Sequence, residues 1–114
     1  MSVAVPLAEL PDQVRRFGFH PYIVTVSGDC TPRVTSVRVS WDGDCLVAPA
    51  GRRTAAAITA NDTVALLWPS SAPGDYALIV DGIAEIQGTP PDALRVSIQP
   101  AKAVLHVTSR VPAA

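Results

Sequence analysis

The chain has 114 residues, 48% of them apolar and 17% charged, with a formal net charge of −1. That length holds one domain with a real core and not two, so residues 1–114 are read as a single domain. The charge balance offers no field to draw in nucleic acid or an acidic membrane, and no uncharged apolar stretch approaches the roughly 20 residues a membrane span needs.

The start, Met1 to Pro6, lacks the basic-then-apolar pattern of a signal peptide. Leu7, Leu10, Val14 and Phe17 fall at intervals of three, four and three, which predicts a helix over 7–17 with one apolar face. Pro11 suits its first turn and Gly18 its end. From Pro21 the texture turns β-branched and aromatic. Tyr22–Val26 reads as a strand stopped by Ser27-Gly28-Asp29. Arg33–Trp41 alternates apolar and polar residues and reads as a half-buried second strand. Asp42-Gly43-Asp44 is a hairpin turn in which glycine supplies the left-handed position, and Leu46–Ala48 follows as a third strand. These three strands are expected to form a meander. Cys30 and Cys45 lie near its opposite ends, about 27 Å apart along the intervening strand. They cannot bond within one chain, and reduced thiols in a cytoplasmic protein are the expectation.

Arg52–Ala60 is alanine-rich and helical by propensity, with Asn61-Asp62 as a left-handed stop. Thr63–Trp68 is a strand with a nearly continuous apolar run. Pro69–Asp75 is a loop, and Tyr76–Gln87 is the longest expected strand, with Gly82 marking a bulge or a close backbone approach. Gly88–Pro91 turns the chain. Leu94–His106 is one strand bent at Pro100 or two short ones, and 111–114 is expected to fray. The sum is a mainly β fold of six antiparallel strands with two short helices, spaced as in a small closed or half-closed barrel.

No internal catalyst is visible. His20 and His106 stand alone, the cysteines are far apart, and no nucleophile elbow, Walker loop or dinucleotide glycine pattern is present. Asp42 and Asp44 are explained by the turn they flank. Any redox or transfer chemistry therefore falls to a cofactor. One segment is physically odd. Gly51-Arg52-Arg53-Thr54 opens a helix with two cations, where the macrodipole favours anions. A bound phosphate would reverse the sign of that interaction, taking backbone N–H groups, the Thr54 hydroxyl and guanidinium donors together. Two arginines swinging into water explain the segment as well.

The ordered features Tyr22–Val26, Pro32-Arg33-Val34, Asp42-Gly43-Asp44, Gly51-Arg52-Arg53-Thr54, Asn61–Trp68 and Ile79–Ile86 with its central Gly82 resemble the pyridoxamine 5′-phosphate oxidase-like, FMN-binding split-barrel superfamily. The resemblance covers roughly residues 15 to 107. It implies a six-stranded split β-barrel, a homodimer, and a flavin in the groove between two subunits. Carried over by position, Arg52, Arg53 and Thr54 form a phosphate-binding turn. Ser36, Val37 and Arg38 lie on the strand facing the flavin, and Trp68 falls near the ring. The second strand offers only Arg38, Thr54 stands where lysine is common, and the Arg/His substrate segment of the true oxidases is missing before Ala114. Pyridoxamine phosphate oxidation is therefore not expected. The resemblance implies instead an oxidoreductase using FMN or a deazaflavin with a small-molecule substrate. The alternative is a non-catalytic binding module with an empty or degenerate groove. The sparse charge fits burial against a second copy.

Overall fold

Alternating apolar residues account for most of the strands, and the strands join in one antiparallel sheet. The structure, a computed structural model, describes residues 1–90 and 92–107; the tail 111–114 lies outside them. Strands are β1 (Ser2–Val5), β2 (Tyr22–Val26), β3 (Pro32–Ser36), β4 (Ser40–Asp42), β5 (Cys45–Ala50), β6 (Thr63–Trp68), β7 (Ala77–Gln87) and β8 (Leu94–His106). A 3-10 turn at Leu7–Glu9 runs into helix α1 (Leu10–Phe17), and α2 spans Arg52–Ala60. The sheet order is β3-β2-β6-β7-β8-β5-β4, with β1 added beside β8.

Eight strands form among the described residues where the sequence predicts six, and the reasons lie in how the strands pair. Ser2–Val5 has no alternation long enough to announce a strand; it becomes one by pairing with Ala103–His106 at the far end of the chain. The stretch 33–41, expected as one strand in a meander, is divided. Its first part pairs with β2 and its last part with β5, so the two parts stand at opposite ends of the sheet order. Only Val37–Val39 join them, a reach of no more than about 14 Å. The sheet must therefore curl until its ends approach each other, which makes it a half-closed barrel. Backbone bonds from Val37 N–H to Pro21 O and Val39 N–H to Phe19 O hold the link against the entry to β2.

The sheet has two faces, set by its register. The row Ile23–Leu66–Val80–Ala103 is buried, and with Leu46, Leu78, Val96, Ile98 and Trp68 it makes the core. Leu10 and Val14 of α1 close one side of that core, as their spacing predicts. Gly18 ends α1 at φ +99, a conformation suited to glycine. The other face carries the row Tyr22–Leu67–Ile79–Val104 and, beside it, Val34–Val24–Ala65. Tyr22 is 41% exposed and Val34 63%, so this apolar face is open in the single chain.

Other turns refine the expectation. Gly43 takes φ +60 as the first residue of the two-residue β4–β5 hairpin, as a type II′ turn requires. In the β2–β3 turn the left-handed position is Cys30 at φ +66 and not a glycine. The Ser27 hydroxyl, followed by contacts from Thr31, holds the nearby Asp29 carboxyl below its ordinary pKa. Asn61 is extended at φ −150, so α2 does not end in a left-handed residue; the Asn61 side chain instead caps the Thr63 N–H of the next strand. β8 is one continuous strand, and at 13 residues it is longer than β7. The ladder between them slips at Gly82, which pairs with Pro100 while Asp81 pairs with Lys102. That is the expected bulge. Cys30 and Cys45 are free thiols.

Candidate functional site

Period-two alternation through the β3–β4 link puts Arg38, Ser40 and Asp42 on one side of the chain. Ser40 lies opposite Val47 of β5, Val47 opposite Ser97 of β8, and Pro49 opposite Arg95. On this outer face lies a cleft of about 450 Å³, walled by Arg38, Ser40, Val47, Pro49, Leu94 and Arg95. Leu94 is shared with a smaller hollow of about 190 Å³ at Gly51 and Arg52, where α2 begins. The larger cleft, the groove, pairs an apolar strip (Val47, Pro49, Leu94) with the guanidinium groups of Arg38 and Arg95, and the smaller hollow, which carries Arg52, adjoins it at Leu94. The groove's volume is within the range of small-molecule sites.

The three cations are held differently. Arg95 Nε donates to Gln87 Oε1 at 2.8 Å and its Nη2 to Asp42 Oδ2 at 3.1 Å. The Arg95–Asp42 pair is at the surface, 48% and 65% exposed, so it adds little to stability. It does orient the fork. A guanidinium has five N–H donors, and those not aimed at Gln87 or Asp42 remain for a ligand. Arg38 and Arg52 are exposed, and neither forms an ion pair among the described residues. Helix α2 starts at Gly51 with no side-chain cap and no acidic residue in its first turn. Its leading N–H groups and its positive dipole end therefore open beside Arg52. Among the described residues the carboxylate lining this end is Asp92.

The seven residues singled out from sequence separate here. Arg38 lines the groove, and Arg52 lines the hollow that adjoins it at Leu94. Ser36, Val37 and Arg53 do not line it. Thr54 is 9% exposed and sits on the buried side of α2 with Ala55, Ala57 and Ile58. Trp68 lies away from the groove. It is 2% exposed, and its indole Nε1–H donates to Gly18 O at 2.8 Å, so it serves the core and the end of α1 and presents no ring to the groove. Its place in the alternation with Val64 and Leu66 carried that signal. Arg95 was not singled out, because its place in the groove comes from the Pro49–Arg95 pairing across 46 residues. No three His, Cys, Asp or Glu side chains are grouped to hold a metal among the described residues. No helix there is long and apolar enough to cross a membrane.

No protein-family model matches the sequence. Uncharacterised proteins of Mycobacterium bovis and Mycobacterium tuberculosis are 41% identical over 58 residues, 49% of this chain and 41% of theirs, so the match spans about two fifths of those relatives. Among solved structures, a Listeria innocua protein assigned as a pyridoxamine 5′-phosphate oxidase superposes with a TM-score of 0.69 at 19% identity, over 85% of this chain and 98% of its own. A FAD-binding protein from Mesorhizobium loti gives 0.70 at 12% identity, over 91% and 94%. An F420 reductase gives 0.62 at 22%, over 75% and 88%. The chain has the split-barrel fold of the pyridoxamine 5′-phosphate oxidase-like proteins. In this split barrel the groove lies on the outer face of β4, β5 and β8, with the opening of α2 at one end.

Proposed function

We propose that this split barrel binds a flavin-type cofactor, FMN or a deazaflavin, in the arginine-lined groove and serves as an oxidoreductase for a small molecule. The observation that carries the reading is an apolar strip set with the Arg38 and Arg95 guanidinium groups in one cleft, which adjoins Arg52 and an uncapped helix start at Leu94. A planar apolar ring with a phosphate tail needs those two surfaces side by side. Arg52 and the first N–H groups of α2 would hold the phosphate, and Arg38 and Arg95 would flank it. Val47, Pro49 and Leu94 would support the ring and keep water from one side of it. The cofactor would supply hydride transfer when bound. The split-barrel neighbours named for FAD and F420 support a cofactor of this class.

The open apolar face around Tyr22, Val34 and Leu67 supports a homodimer, since a second copy would cover it. Sedimentation at micromolar concentration is expected to give twice the 11.9 kDa chain mass. A mass near one chain would remove the dimer.

Titration with FMN and with a deazaflavin, followed by ligand fluorescence, tests the cofactor. Saturable binding to one of them is expected, and Arg38→Ala should weaken it roughly tenfold or more, the scale of one charge-assisted hydrogen bond. Binding that ignores Arg38→Ala would move the cofactor out of this groove. Binding of neither ligand would favour the second reading, a non-catalytic module. The absence of His, Cys and Lys from the groove's described lining speaks for that reading.

A further inference from the structure

A second cavity, about 510 Å³, lies on a different part of the molecule, between the start of α1, the β4–β5 turn and the bend of β8. Leu7, Leu10 and Pro11 form one wall, and Trp41 with the Gly43-Asp44 turn forms the other. Gln99 and Pro100 close the side at the bulge. Trp41 is half-buried and packs against the core while lining the cavity. Leu7 is 44% exposed, an apolar side chain left open at the rim.

The formal charge here has one sign. Among the described residues Asp44 is the single charged side chain on the lining, and it makes no ion pair there. Its neighbour Asp42 is engaged by Arg95 on the outer face of the sheet. Gln99 Oε1 accepts the Cys45 thiol at 3.4 Å and, as a carbonyl oxygen, has a lone pair to spare. The Asp44 carboxylate on this otherwise uncharged lining repels an anion and gives a neutral molecule nothing ionic. A cation is favoured by that charge and by the Trp41 indole on the same lining.

We propose that this cavity is a binding site for a small organic ammonium ion with an apolar body, its charge held between Asp44 and Trp41 and its body against Leu7, Leu10 and Pro11. The site is independent of the flavin groove, with which it shares no lining residue.

Benzylammonium is the probe, with benzyl alcohol and benzoate as neutral and anionic isosteres, followed by the indole N–H resonances of the full chain. Saturable movement of the Trp41 signal is expected, while that of buried Trp68 stays in place. Asp44→Asn, which suits the same turn, should weaken benzylammonium roughly tenfold, as should exchange for benzyl alcohol. Arg38→Ala should leave it unchanged, so failure here and failure of the flavin reading are separable. No saturable shift at Trp41, equal binding of the three probes, or indifference to Asp44→Asn would each overturn the proposal.

Discussion

Trp68→Ala is expected to lower the unfolding free energy by about 3–5 kcal/mol, and Trp68→Phe by about 1–2 kcal/mol. The first change removes the largest fully buried side chain and leaves a cavity among Leu66, Leu78 and the end of α1. The second keeps most of the volume but strips the indole N–H from Gly18 O, leaving a part-buried carbonyl without its donor. Urea unfolding followed by circular dichroism measures both, with an unchanged slope marking a true change in stability. The same variants decide what Trp68 is for. If it belongs to the core, Trp68→Phe binds flavin as the parent chain does. Lost affinity with intact stability would return Trp68 to the ring-contact role its sequence position implies.

Gly82→Ala should cost about 2–3 kcal/mol, at the upper end of what overpacking does. A Cβ placed at Gly82 would stand 2.7 Å from Gln99 O and 2.8 Å from Ile98 Cγ2. Neither neighbour can give way easily: one is backbone, and the other belongs to a fully buried side chain in the middle of the core. The slip in register at this point brings β8 against the glycine. Gly28→Ala is the matched control, since its Cβ would meet only Ala60 Cβ at an ordinary 3.5 Å. Its expected effect is within about 0.5 kcal/mol. Equal thermal midpoints for the two variants would mean that β8 does not approach Gly82 so closely.

What could be read from the sequence was what neighbouring residues determine. The β4–β5 turn, the bounds of α2, the apolar face of α1 and the bulge at Gly82 all have causes within a few residues, and the structure has each of them. Ser2–Val5 and the division of 33–41 have causes a long way off along the chain, in the strands they pair with. The groove divides in the same way. Arg38 and Arg52 were legible as cations on a polar strand face and at a helix start. Arg95 needed the β5–β8 pairing to bring it there. Trp68 was placed by family position, whereas its alternation with Val64 and Leu66 points it inward.

The pairing of β8 has a consequence for how the molecule assembles. β7 lies along nearly its whole length, β5 along its first half and β1 along its second, and Met1 and Val107 exchange hydrogen bonds at 3.0 Å. On the ribosome, β1 and β5 therefore wait for the last strand of the sheet to be made. Until it emerges, the edges at Ser2–Val5 and Leu46–Ala50 have no partner from β8 and are open to other chains. Folding should finish in one late step dominated by distant contacts, and so run at the slow end for a chain of this size. The strand that completes the sheet is also the one that delivers Arg95 to the groove.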